Sequence, residues 1–88
     1  MIGAAPNDAS ALALRALTAV LSDQRLAERF LSLSGIDPPD LRQRAGDPVL
    51  LAALLRFLEA HEPNLLAIAE ELEVTPKALV AARVELER

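Results

Sequence analysis

Apolar residues recur along this chain at intervals of three and four, the spacing of helix faces that pack on a core. β-Branched and aromatic residues, which favour strands, are scarce. The pattern therefore predicts six short helices. Their expected bounds are about 8–21, 23–33, 38–45, 48–60, 63–73 and 76–87.

Proline and small polar residues punctuate this pattern. A short polar side chain at an N-cap satisfies free N–H groups, and proline at the next position loses nothing because its missing N–H would be unbonded there. Gly35 stands where a left-handed residue would end the second helix. The expected helix starts are Asp37-Pro38, Asp47-Pro48, Glu62-Pro63 and Thr75-Pro76.

The fourth helix is apolar on nearly every side, which is typical of a buried central helix. We expect an all-α, compact single domain over residues 8–88, built around this helix at about 48–60, with residues 1–7 as a disordered tail. In the second and fifth helices the residues expected to face inward are Leu26, Ala27, Phe30, Leu33, Leu65, Leu66, Ile68, Ala69 and Leu72.

Composition narrows the possible functions. The chain has no cysteine, which excludes thiol chemistry and fits a reducing compartment. No membrane-spanning run and no signal peptide are recognisable, so a cytoplasmic location is expected. The net charge is −4, and residues 45–88 hold four cations against eight acids. This balance disfavours nucleic acid as a partner.

Candidate catalytic groups are sparse. His61 is the single histidine, and it is expected beside the carbonyls at the end of the fourth helix. Glu70, Glu71 and Glu73 read as a solvated helix face. An enzyme would need a pocket lined by His61 with acids such as Glu59 or Glu62. We therefore predict no catalytic activity, metal site, cofactor or small-molecule substrate.

Residues 63–87 have the core spacing of a helix-turn-helix, and in that motif the second helix enters the major groove. Thr75, Lys77 and Arg83 would then contact DNA. The turn position that is usually glycine is Glu73, which tolerates positive φ poorly. DNA binding by a regulator is thus the alternative prediction and not the first.

The last helix is apolar nearly all round. If one side packs on the fifth helix, Val80, Ala81 and Val84 are left exposed, and exposed apolar patches commonly mark interfaces. The competing expectation is that the first two helices cover these residues. The first functional prediction is a protein-interaction or self-associating module, with another protein or a second copy as the partner.

Four segments of the chain share a recognisable pattern. They are 29–42 (RFLSLSGIDPPDLR), 47–51 (DPVLL), 61–66 (HEPNLL) and Thr75-Pro76. Together they resemble a small family of unknown function from alpha-class proteobacteria, and the resemblance covers nearly the whole chain, from Leu12 to Leu86. It implies a compact helical fold and a short bacterial protein, and it implies no activity and no functional residues.

Overall fold

The computed structural model describes residues 7–88, which form helices joined by short connections and end in two residues after the last helix. The predicted tail at 1–7 lies outside the described residues, apart from Asn7, which begins the first helix. The all-α prediction is confirmed over this range. The six helices are α1 (Asn7–Leu21), α2 (Gln24–Ser34), α3 (Pro38–Gln43), α4 (Pro48–Glu59), α5 (Glu62–Leu72) and α6 (Pro76–Leu86).

Two of the four predicted helix starts have a side-chain capping bond, and Asp37 is the N-cap of α3 without one. The Oδ1 of Asp47 accepts from the backbone N–H of Val49 at 2.9 Å, and Thr75 Oγ1 caps α6 in the same way. Gly35 takes the expected left-handed conformation, with φ of 71°. The start of α5 differs by one residue, because the N-cap is His61 and Glu62 is already helical.

The core lies where α1, α4 and α6 pack together, and α5 closes it from a fourth side. Eight large side chains of the core are essentially inaccessible to solvent: Val20, Phe30, Leu50, Leu51, Leu54, Leu55, Leu58 and Leu79. Phe30 joins α2 to this core and meets the ring of Phe57 edge to face, with centroids 5.4 Å apart.

Three residues that the pattern places inside are exposed. Leu66 is 48% exposed because it lies about 100° around α5 from Leu65, which takes the buried position. Leu33 is 71% exposed although it lies one turn beyond Phe30, on the same face of α2 as that buried residue. The α4 helix is central but not enclosed, and Val49 is 72% exposed on its open side.

Candidate interaction surfaces

The two edges of α6 carry different charged groups. On the inner edge, Arg83 donates from Nε to Glu59 of α4 at 2.6 Å and from Nη1 to Glu87 at 2.8 Å. Glu87 also accepts from Nη2 of Arg56, on α4, at 2.9 Å. These four residues, Arg56, Glu59, Arg83 and Glu87, form what we call the α4–α6 seam. Each arginine in the seam is matched by a carboxylate.

The hydrogen bonds of the seam shift the pKa values of two of its residues, Glu87 and Arg83. The hydrogen bond from Arg56, reinforced by the one from Arg83, lowers the pKa of Glu87 below its ordinary value of 4.5. The hydrogen bond to Glu59 raises the pKa of Arg83 further above its already high value. Partial desolvation opposes both shifts and does not reverse them. The seam therefore stabilises the ionised forms of both residues.

The outer face of α6 holds the predicted interface residues. Ala81 is exposed, Val84 is 47% exposed and Val80 is half-buried. They are partly uncovered because α6 packs on α1 and α4 through its opposite side, where Leu79 and Ala82 are buried. We call Val80, Ala81 and Val84 the α6 patch.

A shallow groove of about 300 Å³ borders the α6 patch, between α6 and α1. Most of its lining is alanine, with Glu85 at one edge. Small side chains let another helix approach closely. The lining residues are Asp8, Ala9, Leu12, Ala78, Ala81, Ala82 and Glu85.

The three residues of the DNA-binding alternative do not act as a group. Arg83 is held in the seam with its side chain only 17% exposed, so its guanidinium is already occupied. The Thr75 hydroxyl accepts a hydrogen bond from the N–H of Ala78 as the helix cap. Lys77 is exposed. The structure thus leaves one of the three cationic or polar groups free to approach a phosphate.

The α5–α6 turn contains the left-handed residue of a helix-turn-helix, although glutamate disfavours that conformation. Glu73 takes a left-handed conformation with φ of 60°, the only non-glycine residue to do so among residues 7–88. Its N–H bonds the carbonyl of Glu70, and the N–H of Val74 bonds that of Ala69 at 2.9 Å. This is a Schellman cap, which usually holds glycine at the left-handed position.

A second surface lies between α2 and α5. Arg25, Arg29, His61 and Asn64 line a groove of about 340 Å³, with Leu26 and Ala67 as apolar lining and Asp23 at one end. Within the part of the chain that the structure describes, neither Arg25 nor Arg29 makes an ion pair. We call this the α2–α5 groove.

The acids proposed to accompany His61 in an enzyme do not line that groove. Glu59 binds Arg83 in the seam, and the exposed Glu62 is not among the groove residues. Glu70, Glu71 and Glu73 are exposed, as the sequence predicts. Over residues 7–88, no three potential metal ligands are grouped closely enough to hold an ion.

Sequence reasoning missed a contact that fixes α1 against α5. Arg15 Nη2 donates to the carbonyl oxygen of Leu72, the last residue of α5, at 3.0 Å. A cation at this end also suits the helix dipole. The two residues are 57 positions apart, so no local signal in the sequence could have indicated the contact.

The fold is that of a small all-α domain in which α1, α4 and α6 form the core, and α6 leaves its outer face exposed. The chain belongs to the DUF3572 family of proteins of unknown function, whose match covers residues 6–88. No curated protein and no solved structure gives a significant match. None of the helices described over residues 7–88 has the length and apolarity needed to cross a membrane.

Proposed function

We propose that this protein is a non-catalytic interaction module that self-associates through the outer face of α6. The observation that supports this most is the α6 patch, where Val84 is 47% exposed on a helix whose inner edge is already fixed by the seam. Covering apolar surface is the main driving force for association. The proposed occupant of the patch is the same patch on a second copy.

The charges beside the patch favour a second copy. Lys77, Ala81 and Glu85 are four residues apart and so form one stripe along α6. If two α6 helices pair antiparallel about Ala81, Lys77 of each copy lies opposite Glu85 of the other. A two-fold interface requires such self-complementarity. Glu85 has one weak intramolecular partner, Arg88 at 3.7 Å, and both side chains are more than half exposed.

Light scattering after size exclusion tests the proposal. The wild type is expected to show a dimer whose population rises with concentration, and Val84→Glu is expected to weaken it about tenfold because a charge replaces buried apolar surface. Val49→Glu is the matched control, since Val49 is 72% exposed on α4 and outside the patch. Circular dichroism should show unchanged helicity in both variants.

A charge exchange makes the test sharper. Lys77→Glu alone and Glu85→Lys alone should each weaken the dimer, because each places like charges opposite each other. The double variant should restore it, since the opposite charges are regained in reverse order. A strictly monomeric wild type, or a dimer that Val84→Glu and both charge variants leave intact, contradicts the proposal.

DNA binding by residues 63–87 is the competing function, and it makes a different prediction. Binding would fall steeply with salt and would require Lys77. The occupied guanidinium of Arg83 and the acids Glu70, Glu71 and Glu73 on the preceding helix disfavour it. Fluorescence anisotropy with a labelled duplex at low salt distinguishes the two, because Lys77→Gln should leave the anisotropy unchanged if the module only self-associates.

The proposal also includes the origin and the location of the protein. The absence of cysteine fits a cytoplasmic location, and the use of eight arginines against one lysine fits an alpha-class bacterial origin. Fractionation of cells producing the tagged full-length chain tests the location. Recovery in the periplasm would contradict it.

A further inference from the structure

The α2–α5 groove differs from the α6 patch in chemistry. Two arginines four residues apart on α2, Arg25 and Arg29, line it together with the side chains of His61 and Asn64 from the start of α5. Guanidinium groups offer planar pairs of donors that match carboxylates. We infer that this groove binds an acidic segment of a partner protein through the carboxylates of that segment.

The arginines are free to take an external partner. In the α4–α6 seam, Arg83 and Arg56 are matched by Glu59 and Glu87. By contrast, the ion pairs found over residues 7–88 do not include Arg25 or Arg29.

The acids nearest to these arginines have other partners. The Oδ1 of Asp23 caps α2 by accepting from the backbone N–H groups of Arg25 and Leu26, at 3.0 and 3.2 Å. Glu28, on the same helix, accepts from the side chain of Gln24 at 3.2 Å. Neither carboxylate therefore forms an ion pair with Arg25 or Arg29, and the two guanidinium groups keep their donors available to an external carboxylate.

The surface also specifies the form of the partner. Arg25 and Arg29 line both the groove and a shallow depression of about 410 Å³ on α2, whose lining also includes Glu28 and Leu33. Leu33 is 71% exposed there. A rise of 1.5 Å per residue places the two arginines about 6 Å apart along α2. Two glutamates four residues apart on a partner helix match this spacing. An apolar side chain on the same partner helix would contact Leu33.

A polypeptide fits this groove better than a nucleic acid does. The chain has a net charge of −4, and α5 carries Glu62, Glu70 and Glu71, which would repel an extended polyanion. A groove of about 340 Å³ holds a few side chains and not a duplex. The groove lining holds two arginines against Asp23, so its positive charge is small and local, as recognition of a short acidic segment requires.

A labelled peptide tests the inference on the full chain. The probe is a synthetic helical peptide with two glutamates four residues apart and a neighbouring leucine, and its twin has glutamine at both positions. Fluorescence anisotropy should show saturable binding of the glutamate peptide that weakens as salt rises. Arg25→Gln with Arg29→Gln should weaken binding about tenfold, because both exposed ion pairs with the peptide are lost.

Arg42→Gln is the matched control, because Arg42 is an exposed arginine on α3 that does not line the groove. It should leave binding unchanged, and circular dichroism should show that all variants keep their helicity. The inference is overturned if the glutamine peptide binds equally well, if Arg42→Gln weakens binding as much as the double variant, or if no binding occurs at millimolar peptide. Displacement of the peptide by a DNA duplex, or a homodimer that the double variant abolishes, overturns it in favour of that occupant.

Discussion

The inner edge and the outer face of α6 both carry charged residues, and the two sides differ in how far other residues of the chain pair with them. On the inner edge, Arg83 and Glu87 are bonded to Glu59 and Arg56 of α4 within the same chain. On the outer face, Lys77 has no ion pair over residues 7–88. The same helix thus uses charge to hold the fold on one side and leaves charge available on the other. Counts of charged residues cannot separate these two roles.

The largest expected difference between the two faces is in core packing. Leu79 is fully buried, and Leu79→Ala should lower the free energy of unfolding by about 2–5 kcal/mol because it removes a large side chain from a packed core. Val84→Ala, on the outer face, should change it by less than about 0.5 kcal/mol when measured at concentrations where the chain is monomeric. Urea denaturation followed by circular dichroism measures both.

Loss of 2–5 kcal/mol is a large share of the stability of a small domain, so Leu79→Ala can be largely unfolded. Leu79→Met keeps the volume and should cost less than about 1.5 kcal/mol. If Val84→Ala destabilised the monomer as much as Leu79→Ala does, the assignment of inner and outer faces would be wrong.

The turn that begins α6 gives the next effect. Glu73 is held at φ of 60°, so Glu73→Gly should relieve strain and raise the free energy of unfolding by about 0.5–1 kcal/mol. Gly35→Ala, at φ of 71°, should lower it by about 1 kcal/mol although a Cβ has open space there. Thermal and urea unfolding of the two variants should shift in opposite directions.

Gly46 is the control for this pair. A Cβ at Gly46 also meets open space, and its φ is not positive. Gly46→Ala should therefore be neutral or slightly stabilising, since alanine restricts the unfolded chain. Destabilisation by Glu73→Gly would show that the Glu73 side chain contributes more than its backbone strain removes.

Arg83→Gln should destabilise the chain, whereas Lys77→Gln should not. The first variant removes a guanidinium that joins Glu59 and Glu87, leaving two partly buried carboxylates without that partner. The second removes an exposed charge on the outer face. Equal unfolding midpoints for the two variants in urea would contradict the structural role of the seam.

The pH dependence of the free energy of unfolding should also show the contribution of the α4–α6 seam. The pKa of Glu87 is lowered in the folded chain, so its ion pairs stabilise the fold above the unfolded value near 4.5 and this contribution is lost as pH falls through the lower folded value. Wild type should thus exceed Glu87→Gln in stability at pH 7, and the difference should vanish at strongly acidic pH. A difference that stays constant with pH would exclude ionisation as its cause.

The sequence predicts local features well because their causes are local. The caps at Asp47 and Thr75 depend on residues two or three positions away, and both are confirmed. The exposure of Leu33 and Val49 depends on whether another helix covers them in the fold, which no periodicity encodes.

The charged contacts show the same limit. The pair Arg83–Glu87 has i,i+4 spacing and could have been found from the sequence. Its link to Glu59 is 24 residues distant and could not. Sequence reasoning therefore assigned Arg83 to a DNA surface, although the fold uses its guanidinium inside the seam.

Cross-linking at Ala81 tests self-pairing of α6 most directly. The chain has no cysteine, so Ala81→Cys creates a single thiol beside the proposed two-fold axis. Two such residues can form a disulfide only if their Cα atoms approach within about 7 Å. We expect mild oxidation to give a covalent dimer of Ala81→Cys and none of Leu33→Cys, which lies on α2. No covalent dimer at Ala81, or equal yields at both positions, would contradict the account.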